Sequence, residues 1–99
     1  MAFTIRFAAL VVQHLDHLKA AARATVFDAI ERQLRHEPLV ETQHRKPLRP
    51  NPLAPWELRV GSLRVFYEVV PGDPGVVHVL AIGQKVRDVL RIGSLEIKL

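Results

Sequence analysis

The sequence of 99 residues contains no cysteine, few aromatic residues and no long apolar run. The lack of cysteine excludes disulfides, thiolate metal sites and cysteine nucleophiles. No stretch approaches the roughly 18 apolar residues of a membrane span, and residues 1–10 do not have the pattern of a signal peptide. P-loop, dinucleotide-binding, zinc and Ser/His/Asp patterns are also missing. We therefore expect one cytoplasmic domain over residues 1–99 that has no membrane association.

The formal net charge of +4 is concentrated in one part of the chain. Residues 1–43 are neutral, whereas residues 44–64 contain Glu57 as their one acidic residue. The basic residues of that segment are Arg45, Lys46, Arg49, Arg59 and Arg64. A local excess of this kind suits a polyanion or an acidic partner, and a solubilising basic surface would have the same composition.

The first 36 residues are expected to form a strand and two helices. Alternation of apolar and polar residues over 3–7 is typical of a half-buried strand. Helical spacing follows over residues 8–20, and Val26, Ile30 and Leu34 indicate a second helix over about 22–36. Pro38 ends that helix. The short connection between the helices predicts an antiparallel helical hairpin.

The clearest local pattern is a β-hairpin over residues 56–70. Residues 38–55 hold five of the seven prolines and are expected to form an extended loop. Gly61-Ser62 suits a two-residue type II′ turn. The resulting register pairs Arg59 with Arg64. The expected core face carries Leu58, Val60, Leu63, Val65, Tyr67 and Val69, and the opposite face carries Glu57, Arg59, Arg64, Phe66 and Glu68.

The last third of the chain completes an antiparallel sheet. Residues 76–82 are apolar on both faces, which indicates a central strand. Residues 85–91 are expected to form a short helical turn or a loop, and Leu95 and Ile97 suggest a last short strand. The predicted class is α+β, with an N-terminal strand, a helical hairpin and an antiparallel sheet of three to four strands.

The pairing of Arg59 with Arg64 is the main chemical feature of the predicted hairpin. Like charges directly opposite each other are unfavourable. Glu57 or Glu68 would relieve the repulsion, and so would a bound phosphate, whose oxygens match arginine donors. Both interpretations stay open on the register alone.

The remaining candidates are weaker. His14 and His17 have helical spacing suited to a metal, but no third ligand is placed by the sequence, so we expect no metal site. Trp56 suits either stacking on a base or packing at the edge of the core, and we favour packing.

Three stretches of the chain together resemble the RelE/ParE superfamily of bacterial toxins. They are Arg45-Lys46-x-Leu48, residues 56–69 and residues 79–85. The most specific part is the Leu-Arg-x-x-x-x-Arg-x-x-Tyr pattern that runs from Leu58 to Tyr67. The similarity covers nearly the whole chain and implies a RelE/ParE-like fold.

The resemblance to the RelE branch implies cleavage of mRNA in the ribosomal A site by attack of the ribose 2′-OH, which needs no cofactor or metal. It implies that Arg64 stabilises the scissile phosphate and that Lys85 is a second cation. Glu57 is then the candidate base, because a carboxylate beside arginine stays ionised. The candidate RNA-binding residues are Arg59, Arg45, Lys46, Arg49, Arg87 and Arg91.

The sequence departs from the RelE pattern at several positions. Pro55 and Glu57 stand where RelE proteins have lysines, and Leu90 and Arg91 stand where they have a tyrosine. A ParE-like inhibitor of DNA gyrase and a non-catalytic member that binds antitoxin or RNA are the alternatives. All three imply a cognate antitoxin protein as partner, and the RelE branch adds the ribosome and mRNA.

Overall fold

Seven strands and two helices make up the fold in a computed structural model that describes residues 2–98. The helices are α1 (Val11–Asp16) and α2 (Ala20–Leu34). The strands are β1 (Thr4–Phe7), β2 (Arg45–Pro47), β3 (Trp56–Val60), β4 (Leu63–Val70), β5 (Val76–Val86), β6 (Val89–Ile92) and β7 (Leu95–Lys98). Within residues 2–98, no helix is long and apolar enough to cross a membrane.

All seven strands belong to one sheet with β5 at its centre. The order is β2-β3-β4-β5-β6-β7, with antiparallel neighbours. β1 is parallel to the first part of β5, and β6 pairs with the last part of β5. The predicted α+β class and the central strand are confirmed, while the seven strands exceed the N-terminal strand and the three to four further strands expected.

The two additional strands, β2 and β6, arise where the sequence pattern indicated a loop or a helical turn. β2 lies inside the predicted proline-rich loop and pairs with β3. Residues 85–91 form the end of β5, a turn and the start of β6. This segment is a strand because Leu90 and Ile92 are buried against one face of the sheet. The contact is long-range, and the local pattern of the four residues of β6 did not indicate it.

The β3–β4 hairpin has the predicted register. Val60 faces Leu63 across the ladder, and Arg59 faces Arg64. Gly61 has a φ of 58°, which a glycine adopts without steric cost. The predicted register, which depends on this two-residue turn, is confirmed.

The helical region is shorter than the predicted hairpin. α1 has 6 residues and packs against β5, whereas α2 has 15 and packs against β3 and β4. The break between them is stabilised by Arg23, whose guanidinium donates to the carbonyls of Leu15 and Leu18. These bonds satisfy carbonyls at and after the end of α1, where the helix supplies no further N–H partners.

The main core lies between the helices and one face of the sheet. Its members from the hairpin include Leu58, Leu63, Val65 and Tyr67, as the alternation predicts. α2 contributes Val26, Ala29, Ile30 and Leu34, and β5 contributes Val77, Val79 and Ile82. Burial of these apolar side chains is the main favourable contribution that holds the helices on the sheet.

A second, smaller apolar cluster covers part of the opposite face. Phe66 was expected on an open face, but it is buried because residues 48–54 of the proline-rich segment fold back over it. The other buried members are Ala54, Ala81, Leu90 and Ile92. Gly83 lets β6 come close, since a Cβ atom there would lie 2.5 Å from the Arg91 carbonyl oxygen. The rest of this face carries the charged residues.

Candidate phosphate-binding site

A cavity of about 540 Å³ opens on the sheet face opposite the helices. The proline-rich segment forms one wall and the β6–β7 hairpin forms the other. Four basic side chains and one acidic side chain line it, namely Arg49, Arg59, Arg64, Lys85 and Glu57. Its apolar lining includes Leu48, Leu53, Phe66, Leu90 and Ile97. The cavity therefore has an excess of positive charge beside apolar walls.

Glu57 lies between the two arginines of the hairpin. Its Oε2 accepts a hydrogen bond from Arg59 Nε at 2.7 Å, and its Oε1 lies 3.7 Å from Arg64 Nε. The carboxylate side chain is 11% exposed. Alternation along β3 places Glu57 and Arg59 on the same face, and the β3–β4 register brings in Arg64. The cross-strand repulsion is thus relieved by an internal carboxylate.

The two arginines differ in exposure. The side chain of Arg64 is 14% exposed, and its Nη1 donates to the carbonyls of Gly61 at 2.6 Å and Leu63 at 2.9 Å. The side chain of Arg59 is 48% exposed. Arg64 is therefore held in position by the turn, while Arg59 is held by Glu57 at its Nε and is the more exposed of the two.

Lys85 approaches the same cavity from β5. Its backbone N–H donates to the Ser62 carbonyl at 2.7 Å, which ties β5 to the β3–β4 turn. Arg49 lines the cavity from the proline-rich segment and is exposed. Of the predicted catalytic and binding residues, the structure thus brings Glu57, Arg59, Arg64, Lys85 and Arg49 together.

Asn51 organises the proline-rich wall, a role that the sequence analysis missed. Its Oδ1 accepts from the backbone N–H groups of Leu53 and Ala54, and its Nδ2 donates to the carbonyls of Arg49 and Ala54. An asparagine between two prolines in a loop is a recognised turn residue, so its position carried a usable signal.

The basic residues of β2 lie outside the cavity. Arg45 is buried and donates to the carbonyls of Val40 and Gln33 and to the side chain of Gln33. Lys46 lies 3.8 Å from a Glu41 carboxylate oxygen. The Arg45 guanidinium holds the loop before β2, and Arg45 does not line the cavity.

Arg87 and Arg91 also lie apart from the cavity lining. Arg87 is an exposed residue with a φ of 57° in the β5–β6 turn. Arg91 lines a second cavity of about 280 Å³ beside α1, together with His14 and Glu96. Its Nε lies 3.5 Å from Glu96 Oε1. Alternation along β6 explains why Arg91 lies apart from the first cavity, since Leu90 faces that cavity and Arg91 faces the second.

The two aromatic residues of the hairpin core face away from the cavity. Tyr67 is buried, its hydroxyl donates to the Pro38 carbonyl at 2.6 Å, and burial raises the pKa of its phenol. Trp56 stacks on Tyr67 with ring centroids 6.1 Å apart. Tyr67 is a core residue as predicted, and Trp56 packs at the core edge on the helical side.

Comparison with known proteins identifies a solved structure with a similar fold. No protein-family profile matches the sequence, and no curated protein matches it. The structure is similar to the crystal structure of the toxin-antitoxin complex RelBE2 from Mycobacterium tuberculosis, with a TM-score of 0.71 and 25% sequence identity. The alignment covers 86% of this chain and 100% of that chain. The chain therefore has the RelE-like toxin fold, and the relationship indicated by its sequence motifs is confirmed.

Proposed function

We propose that this chain is the toxin of a type II toxin–antitoxin pair and that it cleaves mRNA on the ribosome. The observation that carries the proposal is the convergence of Arg59, Arg64, Lys85 and Glu57 in one cavity of a RelE-like fold. A cluster of cations around one carboxylate suits a reaction in which negative charge develops on a phosphoryl group.

The proposed reaction is attack of a ribose 2′-oxygen on the adjacent phosphorus. The O2′–P bond forms and the P–O5′ bond breaks, which leaves a 2′,3′-cyclic phosphate and a 5′-hydroxyl. Glu57 accepts the proton of the 2′-OH, and Lys85 supplies a proton to the leaving 5′-oxygen. Arg64 and Arg59 stabilise the extra charge on the non-bridging oxygens, because guanidinium donors match phosphate geometry.

The partners follow from the same proposal. The similar structure from Mycobacterium tuberculosis is a toxin-antitoxin complex, which supports a cognate antitoxin for this chain. The net charge of +4 suits an acidic antitoxin segment and the phosphates of mRNA and ribosomal RNA. Such a toxin acts in the cytoplasm, where the ribosomes are.

The test is primer extension on a defined mRNA in a reconstituted translation reaction, with and without ribosomes. The wild type, Arg64→Ala and Glu57→Gln are compared with Arg32→Ala, whose exposed arginine pairs with Asp28 on α2. We expect cuts that require ribosomes, that persist in Arg32→Ala and that are lost in the two cavity variants. Circular dichroism and thermal melting of each variant show whether it is folded.

A gyrase supercoiling assay on the same preparations separates the alternatives. Folded wild-type protein that leaves mRNA intact but inhibits supercoiling would establish a ParE-like inhibitor. Folded protein that does neither, yet binds its antitoxin, would establish a non-catalytic member. Either result would overturn the proposed nuclease.

A further inference from the structure

The Glu57 carboxylate lies between the two hairpin arginines. Its two oxygens each face one guanidinium group, at 2.7 Å from Arg59 Nε and 3.7 Å from Arg64 Nε. A phosphate bridging these arginines would meet the Arg59 Nε–H that Glu57 now holds and the same two positive charges. Phosphate and Glu57 therefore compete for that donor and for the charge of both guanidinium groups.

Burial makes this competition effective. The side chains of Glu57 and Arg64 are 11% and 14% exposed, so water and salt screen their attraction less than they would at an open surface. Arg64 is also held by the carbonyls of Gly61 and Leu63, which keeps it near Glu57.

We propose that Glu57 is an internal competitor of phosphate at the Arg59–Arg64 pair. Binding of an RNA phosphodiester then requires exchange of the Glu57 carboxylate for the phosphate. This inference rests on the proposed function in one respect, that the incoming phosphate belongs to RNA.

The consequence is selectivity against stray RNA. A single phosphodiester gains little by replacing an ion pair that already exists, so short free RNA binds weakly. A substrate that makes additional contacts elsewhere supplies the free energy for the exchange. The exchange also releases Glu57 from Arg59, which frees the carboxylate at the moment the substrate is bound.

The test measures binding without cleavage. A fluorescein-labelled RNA hexanucleotide with 2′-O-methyl riboses cannot be cut by 2′-oxygen attack, and its affinity is read by fluorescence anisotropy without ribosomes. We expect Glu57→Gln to bind about tenfold more tightly than the wild type, as for removal of one charge at contact distance. The matched control is Glu68→Gln, which makes the same change in net charge on the same face of the sheet, where Glu68 lies on β4 beside His78.

Circular dichroism confirms that each variant is folded, because an unfolded basic chain could also bind RNA more tightly. An affinity of Glu57→Gln no higher than that of Glu68→Gln would overturn the proposal. If Glu57→Gln fails to fold, NMR of the wild type replaces it, with the Nε–H resonances of Arg59 and Arg64 followed during titration. Replacement of the Glu57 carboxylate by phosphate predicts that both resonances shift as RNA saturates the site. An unchanged Arg59 resonance at saturation would overturn the proposal.

The outcome is independent of the nuclease assay. Tighter binding by Glu57→Gln in a protein that cuts no mRNA would support the competitor and overturn the nuclease. If the wild type cuts mRNA on the ribosome but Glu57→Gln binds RNA no better than Glu68→Gln, the result would support the nuclease and overturn the competitor.

Discussion

Lys85 and Arg91 lie on opposite faces of the sheet. Lys85 lines the large cavity with Arg64, whereas Arg91 lines the smaller cavity beside α1 with His14 and Glu96. The β5–β6 ladder explains the difference, because Lys85 pairs with Leu90 and Gln84 pairs with Arg91. Two cations that are close in sequence therefore have different surroundings.

The first prediction separates these two cations. We expect Lys85→Ala to lower the cleavage rate in the reconstituted translation reaction by about 100-fold, because the leaving 5′-oxygen loses its proton donor. Arg91→Ala should cut at nearly the wild-type rate, because its guanidinium faces Glu96. Equal loss in both variants would mean that the RNA contacts both faces of the sheet.

The second prediction concerns the buried hydroxyl of Tyr67. Its hydrogen bond to the Pro38 carbonyl joins β4 to the loop after α2. Tyr67→Phe should lower the free energy of unfolding by about 1–3 kcal/mol, because the carbonyl is left without its partner. Urea denaturation measures the change. Thr25→Ala is the control, since its hydroxyl donates to Ala21 at an exposed position and should cost much less.

The third prediction is a dependence of stability on pH. His14 Nδ1 accepts a hydrogen bond from the Ile82 N–H at 3.3 Å, an arrangement that requires an unprotonated Nδ1. Burial, and secondarily the charge of His17, lower the pKa of His14 from its ordinary value of 6.5. The unfolded chain thus binds the proton more readily. The contribution of His14 to the free energy of unfolding should be fully present above pH 6.5, and it should be lost progressively as the pH drops below that value.

Variants at His14 test this linkage. We expect His14→Gln to show a smaller loss of unfolding free energy between pH 7.5 and pH 5.5 than the wild type, as measured by urea denaturation at both pH values. His36→Gln changes an exposed histidine and should keep the wild-type dependence. Identical pH dependence in the wild type and His14→Gln would contradict the assignment.

The fourth prediction concerns the proline-rich wall of the large cavity. Asn51→Ala removes all four hydrogen bonds of the Asn51 side chain. We expect the amides of Leu53 and Ala54 to lose protection in hydrogen exchange while the amides of β4 keep theirs, because the loop opens locally. Gln43→Ala, at an exposed loop position, is the control. Unchanged exchange at Leu53 would show that packing alone holds the wall.

Local patterns in the sequence determined the β3–β4 hairpin and its charged face. Strict alternation sorts the hairpin residues between two faces, and Gly61-Ser62 sets a two-residue turn that allows one register. The pairing of Arg59 with Arg64 follows from those two facts alone. The Leu58-to-Tyr67 motif lies in the same local stretch, so the RelE-like fold was also recognisable from the sequence.

Contacts between distant segments decided which charged residues share a cavity. Arg45 was expected to bind phosphate, but the carbonyls of Gln33 and Val40 take its donors. Arg91 faces away from the cavity because β6 is a strand, and β6 is a strand because Leu90 and Ile92 find partners at Phe66 and Ala81.

The burial of Glu57 shows the same division. Its position beside Arg59 on one face of β3 was readable from alternation. Its low exposure was not, because it depends on residues 48–54 folding over the sheet. Strand periodicity thus determined the direction of each side chain, whereas its surroundings came from segments far away in the chain. Such contacts leave no periodic trace in the sequence, and only the tertiary structure brought them together.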